Sequence, residues 1–520
     1  MQKSIVQRLV QITKSKALIA WVLLSLCGFR TYAQDEGFFS IYENPEHDYI
    51  PTCIVETNEG CLIVAAFDDS HSPSILYKMS ERGEILGRAI LDIDGQNACV
   101  VLNRIYQDAL FPKQYCAIGS IHYLSEEICK PLVLHFDENL HLNEVYVVEL
   151  PGDYRQFIMG RAILASDGAF LFATSLGQQN GFHRLYMKIE KDGTLLNFHE
   201  ATDDCSEAMM INAIFEFPEG DYYGDYRISS RGLGYSMRLF GFGFGEDFVY
   251  DTIKEFQEIG NTTYSVSPIT LANGSALVLD ENSLLFADRA GEFYGPGSQH
   301  DNSTLLTMTD LEGNMSKYLV IGSMNDTADY PITNNAIDFT KTNDDETQNK
   351  RIYSGCFGTS NGWFPLNRPN HLTITQTDMD FNVLWKKTFR HQSKYLIPTY
   401  LLATSDRGCI VVGTAFQDNH YDLFALKINS DGTLGCNEII VEDIRPYMFW
   451  PNPVSDQLNF EFSPDVTPKQ VELYDLQGRL VCSQTNAGQS LNMEGLAAGQ
   501  YVMKVTLEDG TTFTDKVVKE

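Results

Sequence analysis

A unit that returns every 50–55 residues constrains this chain more than any other feature of its 520-residue sequence. One copy reads Thr57-Asn58-Glu59-Gly60 followed by the apolar run 62–67, then Leu76 to Lys78 and a turn at Gly83. A second reads Ser166-Asp167-Gly168, the run 169–174, Leu185 to Lys188 and a turn at Asp192-Gly193. A third reads Ser405-Asp406-Arg407-Gly408, the run 409–414, Leu423 to Lys427 and a turn at Asp431-Gly432. The two turn glycines are 23, 25 and 24 residues apart, and Lys78, Lys188 and Lys427 hold equivalent places. Each unit predicts a turn, a strand covered on both faces, a polar loop, a second strand, a hairpin turn and a third strand.

Weaker copies lie between these. Gln114 to Gly119 leads to Leu132–Leu140, Glu219-Gly220 and Asn273-Gly274 suggest two more first turns, and Arg351 to Gly358 with His371 to Trp385 is another unit. The interval from 274 to 408 holds two stretched units, with the extra length expected in 287–303 and in an exposed loop, Asp338 to Lys350. The count is seven. Small sheets in this number predict an all-β, seven-bladed β-propeller over residues 34–441, since radial closure protects strand edges. Six or eight blades, or stacked sandwiches, are the alternatives. The unit loosely resembles bacterial β-propeller repeats, although a Trp ending the last strand stands clearly only at Trp385.

After a linker at 442–447 the pattern changes. Pro451-Asn452-Pro453 runs into alternating Leu458 and Phe460. Leu473-Tyr474-Asp475-Leu476-Gln477-Gly478-Arg479 is a strand and a turn. Ala498-Gly499-Gln500-Tyr501 opens a hairpin turning at Asp509-Gly510, with Lys516 close to the end. The period of two predicts a small Ig-like β-sandwich over 448–520. These motifs, in this order and spacing, resemble the type A C-terminal sorting domain of the type IX secretion system. The resemblance implies Pro451, Asn452, Pro453, Tyr474, Gly478, Arg479, Gly499, Tyr501 and Lys516 as the sorting motif. It also implies the secretion machinery as partner, passage across the outer membrane, and release or display at the cell surface.

The other end agrees. Lys3, Arg8, Lys14 and Lys16 precede an apolar run from Ala17 to Phe29, and Thr31-Tyr32-Ala33 supplies small residues before Gln34. This predicts a signal peptide, residues 1–33, cut between Ala33 and Gln34. The run is short of the about 20 residues a membrane span needs, and no later run is longer. Leu26 before Cys27 is too large for a lipoprotein signal. The formal charge of −31 becomes −36 without the five basic residues of 1–33, which makes nucleic acid and anionic membranes poor partners. Of the cysteines, Cys61, Cys116, Cys356 and Cys409 sit in expected strands, so small buried hydrophobes and disulfides are both open readings. No CxxC pair suggests zinc or redox work.

Reaction machinery is not visible. His199-Glu200 lacks the second His of a zinc protease helix, Gly234-Tyr235-Ser236-Met237-Arg238 lacks the second Gly of a nucleophile elbow, and Gly241 to Gly245 lacks the Lys of a phosphate loop. The acid pairs Asp68-Asp69, Asp203-Asp204, Glu246-Asp247, Asp344-Asp345 and Asp378/Asp380 read as solvated loops, with Asp68, Asp69 and Asp418 expected on one rim. Ser166-Asp167-Gly168, Ser405 to Gly408 and Ser430-Asp431-Gly432 resemble sialidase Asp-boxes but lack their spacing, and read as turns. Arg161, Arg231 and Arg238 are candidates for a carboxylate-binding cluster. His135, His141, His183 and His199 show no metal-ligand spacing. No catalytic residue, cofactor or metal ligand is expected. The leading expectation is a non-catalytic module that binds an extracellular protein or glycan. The rival is a surface glycan hydrolase or lyase with acids on the rim.

Overall fold

The structure is a computed structural model. It describes residues 37–520 except 45–46, 61, 69–73, 94–97, 124–127, 153, 155–156, 179–180, 202–209, 217–221, 232–233, 244–253, 257–263, 266–274, 281, 293–301, 311–314, 322–327, 333, 341–349, 360–370, 392, 419, 435–438, 443–446, 463–467, 486–489 and 509–511. Every described element is a strand, and no described helix is long and apolar enough to cross a membrane. The residues expected to form the signal peptide lie outside the description, as do Asp509-Gly510.

The described residues before the tail form seven antiparallel sheets. The first sheet runs Tyr49–Glu56, Leu62–Asp68, Ser74–Met79 and Ile85–Leu91 from the inside outward. Blades two to four repeat this order from Ala98–Gln107, Phe157–Leu164 and Met210–Glu216. In blade five the inner strand is Ser275–Asp280, with Tyr264–Ser265 pairing further along the same neighbour, Ser283–Glu292. Blade six splits its inner strand into Ala328–Pro331 and Ile337–Phe339, and takes Ile439–Glu442 on its outer edge. Blade seven begins at Tyr395–Ala403. Each inner strand touches the next, and blade seven touches blade one, so the sheets make a closed ring. This is a β-propeller.

Closure comes from the N-terminal end. Phe39–Tyr42 is the fourth strand of blade seven, paired with His420–Ile428 in the register Phe39↔Leu426 to Tyr42↔Leu423. Phe38 and Lys427 exchange backbone bonds of 3.0 and 2.8 Å. Phe39 packs on Phe424, and Tyr42 donates to the Gly83 carbonyl of blade one at 2.6 Å.

Two devices recur between blades. In the first, an aromatic side chain on one blade's outer edge covers the hairpin glycine of the next. Phe38 lies on Gly83, Tyr146 on Gly193 and Trp385 on Gly432. Trp385 also donates to the Ser430 carbonyl at 2.9 Å. The Trp position of the repeat is therefore filled by Phe38 and Tyr146 elsewhere. In the second, the first turn of one blade donates to the end of the next blade's inner strand. Asn58 N–H reaches Gln107 (3.0 Å), Ser166 N–H reaches Glu216 (2.7 Å) and Ser405 N–H reaches Glu56 (2.7 Å).

Most inner strands bulge. One extra residue interrupts the ladder between Pro51 and Cys53, Leu102 and Arg104, Ile211 and Ala213, and Pro398 and Tyr400, and between Ile158 and Arg161 two residues stand opposite one. In blades two and seven the second strand accommodates the displaced backbone with glycine. A Cβ on Gly119 would stand 2.0 Å from the Val101 carbonyl oxygen, and one on Gly413 would stand 2.3 Å from that of Ile397.

Two sequence expectations are corrected. The first turn of blade five lies between Asp280 and Ser283, one strand later than Asn273-Gly274, which is outside the description. Asp338 is not in an exposed loop. It is buried in Ile337–Phe339 and accepts the Ala403 N–H at 2.8 Å, tying blade six to blade seven. Cys53, Cys99, Cys116, Cys129, Cys356 and Cys409 are buried, and burial pushes Cys53 and Cys116 up to about 12.

The tail is a sandwich of two sheets. One holds Tyr447–Trp450, Gln457–Phe462 and Ser490–Asn492. The other holds Leu480–Thr485, Pro468–Tyr474, Gly499–Leu507 and Thr512–Lys519. Val471, Leu473, Met503, Val505 and Val517 from one sheet meet Leu458, Phe460 and Leu491 from the other.

The bulges give a direct test. Gly413→Ala is expected to lower stability by at least about 2 kcal/mol, because the new methyl meets backbone. Gly87→Ala, where nothing stands within 4 Å of the added Cβ, is expected to change it by less than about 1 kcal/mol. Denaturant melts of the two variants check both.

Candidate functional site: the axial cavity

The bulged inner strands surround a cavity of about 280 Å³ to which all seven blades contribute. Blade one gives Thr52, blade two Asn103 and Arg104, blade three Gly160 and Arg161, and blade four Ile214. Ser275, Asn334, Asn335 and Tyr400 come from blades five, six and seven. Thr52, Asn103 and Gly160 are themselves bulge residues, so the irregularity that breaks the ladder is what points polar groups at the axis.

Two guanidinium groups dominate the electrostatics. Burial, and then the neighbouring Arg104, lower Arg161 to about 10, still charged at neutral pH. Arg104 lies over the Tyr400 ring, 5.2 Å from its centroid, which fixes its plane. No hydrogen bond or ion pair to the Arg104 side chain occurs among the described residues. Asn103 Nδ2 donates to the Gly160 carbonyl at 2.7 Å, joining the bulges of blades two and three. Asn335 Nδ2 donates to the Leu401 carbonyl at 2.8 Å. His122 sits against Ser120 Oγ at 3.0 Å and Cys129 Sγ at 3.1 Å, and burial lowers its pKa, leaving the ring neutral at pH 7. Among the described residues lining the cavity there is no carboxylate.

Of the arginines singled out in the sequence, Arg161 reaches this cavity. The side chains of Arg231 and Arg238 lie outside the description. Its companion is Arg104, which the sequence reading missed. The available signal was Asn103-Arg104 interrupting an apolar strand, opposite the strand glycine Gly119.

The acids fall elsewhere. Asp69, Asp203, Asp204, Glu246, Asp247, Asp344 and Asp345, and the side chain of Asp68, are outside the description. Asp378 accepts Asp380 and Asn382 N–H groups at 2.8 and 2.9 Å, and Asp380 pairs with Lys317, so this couple shapes a turn and a blade junction. Asp418 is exposed in a turn with φ of 53°. His135 faces the Lys191 carbonyl at 2.7 Å and His141 faces Asp137 at 3.3 Å. The side chain of His183 is outside the description, while His199 is lowered by burial. No group of three or more metal-ligating side chains occurs among the described residues.

Two of the three turns that resemble Asp-boxes are inter-blade clips, while Asp431 of the third holds Thr433 of its own turn. Ser166 and Ser405 each hold a carboxylate of the following blade through both N–H and Oγ. Their Asp neighbours pair with the repeated lysines of their own blades, Asp167 with Lys188 and Asp406 with Lys427, both at 2.6 Å. Lys78 departs from this and donates to the Glu138 carbonyl of blade two at 2.9 Å.

In the tail, Asn452 stands between two cis prolyl bonds and is bonded to the last strand. Its Nδ2 donates to the Lys516 carbonyl at 3.0 Å, and its Oδ1 accepts Val518 N–H at 2.8 Å. Asp475 accepts the Gln477 and Arg479 N–H groups at 3.0 and 2.9 Å and the Arg479 side chain at 2.7 Å, with Gly478 at φ 74°. Tyr501 is buried and donates to the Ala497 carbonyl at 2.7 Å. Pro451, Pro453, Gly478, Arg479, Gly499 and Lys516 are exposed, and Tyr474 is half-buried.

Fold and tail together define an exported β-propeller protein. Residues 448–520 match the family model described as the secretion system C-terminal sorting domain, that of the type IX system, and the protein is secreted or displayed at the cell surface. No curated protein matches the sequence. Among solved structures the chain is similar to the extracellular region of plexin A4 (10% identity, TM-score 0.42, 91% of this chain), spanning 60% of that chain. It is also similar to the propeller domain of the Trilobed protease from Pyrococcus furiosus (7%, TM-score 0.38, 76% of this chain and 100% of that one). A protein of unknown function from Dyadobacter fermentans gives 9%, 0.38, 76% and 98%.

The clips carry a pH dependence. Burial pushes Asp406 up, but Lys427, Thr404 and the Gly408 N–H outweigh it and hold the carboxyl below its ordinary 3.8. Its stabilisation is therefore present above that value and lost as pH falls through the lowered one. Asp406→Asn is expected to cost about 2 kcal/mol at pH 7, less than a fully buried pair because Asp406 is partly exposed. The gap to wild type should narrow as pH falls below the ordinary 3.8 and through the lowered value, as thermal melts across pH would report.

Proposed function

We propose that this protein is exported by a signal over residues 1–33, cut between Ala33 and Gln34, and crosses the outer membrane on its tail. Outside the cell its propeller serves as a non-catalytic binding module for an extracellular protein or glycan. Pro451, Asn452, Pro453, Tyr474, Gly478, Arg479, Gly499, Tyr501 and Lys516 form the sorting motif that the secretion machinery reads. The axial cavity carries the binding reading. All seven blades line it, several of them with donors or aromatic walls, without the facing carboxylates that glycoside hydrolysis requires among its described residues.

Two experiments test this. Deleting 448–520 should leave the protein in the periplasm, and finding it in the medium at wild-type level contradicts the role of the tail. The exported protein, incubated with a panel of acidic and neutral polysaccharides, should be retained on at least one without releasing reducing ends or unsaturated products. Product release above a boiled control contradicts the binding reading.

A further inference from the structure

We infer that the axial cavity is a site for a small polyhydroxylated carboxylate, an acidic monosaccharide unit, held by Arg104 and Arg161. This rests on the binding-module reading and gives its ligand a chemical class.

The argument begins with charge. The chain carries a formal −31, yet the described lining of its axial cavity contains two arginines and no acid. The two come from adjacent blades, and Arg104 is close enough to depress the ionisation of Arg161. Like charges held together in a partly buried space repel, and a carboxylate between them would reverse that term. A guanidinium presents a planar fork that matches a carboxylate in two parallel bonds. Arg104 lies over the Tyr400 ring, 5.2 Å from its centroid, a contact that restrains the guanidinium beside the cavity.

The rest of the lining narrows the class. His122 is kept neutral by burial, so the cavity offers two positive charges rather than three, which suits a monoanion better than a phosphate dianion. Asn103, Asn334 and Ser120 supply neutral polar groups, while Phe67, Phe157 and Tyr400 supply flat apolar walls. Hydroxyls on an apolar ring meet both. The volume, about 280 Å³, lies at the lower end of small-molecule sites and fits one sugar residue.

Calorimetry on the exported full chain tests the assignment, with glucuronate, galacturonate, glucose, glucuronamide and inorganic sulfate as probes. At least one uronate should bind at least tenfold more tightly than glucose and glucuronamide, and more tightly than sulfate. Arg104→Gln and Arg161→Gln should each weaken that binding at least tenfold, and Arg161→Lys should recover part of it. Equal binding of glucuronamide and glucuronate overturns the inference without any variant, so a variant that fails to fold does not protect it. No response to either uronate also overturns it, as does a preference for sulfate. A protein retained on a polysaccharide but silent to uronates leaves the module reading standing, whereas product release removes that reading itself.

Discussion

Phe39–Tyr42 and His420–Ile428 are paired across roughly 380 residues of chain, and this pairing latches the ring that the inner strands of blades seven and one close. Blade seven has three strands of its own. Without the fourth, its outer edge would be open and Phe38 would not cover the Gly83 hairpin of blade one. A closed ring is also what brings Thr52 of blade one and Tyr400 of blade seven to the same cavity. Site and closure are thus one problem in this fold.

Between the ends, stability is divided among small repeated contacts. An aromatic ring seated on the next blade's hairpin glycine buries apolar surface and fixes the distance between sheets. The Ser-to-Glu clips add polar registration at the other turn, and the Asp–Lys pairs hold those turns rigid. Such contacts explain why the three best-defined units share Gly83, Gly193 and Gly432 and why two of them share Ser-Asp. The residues that look most like motifs are joints between blades.

What was legible in the sequence follows from locality. The runs 62–67, 169–174 and 409–414 are strands covered on both faces, and their turns carry glycine, so the all-β repeat shows in any short window. The tail was legible for the same reason, with Val471, Leu473, Met503 and Val505 alternating on one buried face. The closing strand was not, because four residues pairing with a partner so far away leave no local period. Asp338 was read as loop because its partner, the Ala403 N–H, belongs to another blade. Arg104 escaped notice because a bulge shifts the register, so that a period of two along the strand does not single it out as a cavity residue.

The axial cavity takes its lining from all seven blades, so the account stands or falls on closure. Hydrogen–deuterium exchange on the exported chain measures it most directly. Amides of Phe39–Tyr42 should be protected to the same degree as those of His420–Ile428 and should be lost together with them as denaturant rises. Exchange of Phe39–Tyr42 at the rate of an unpaired terminus, while blade seven stays protected, would contradict the account.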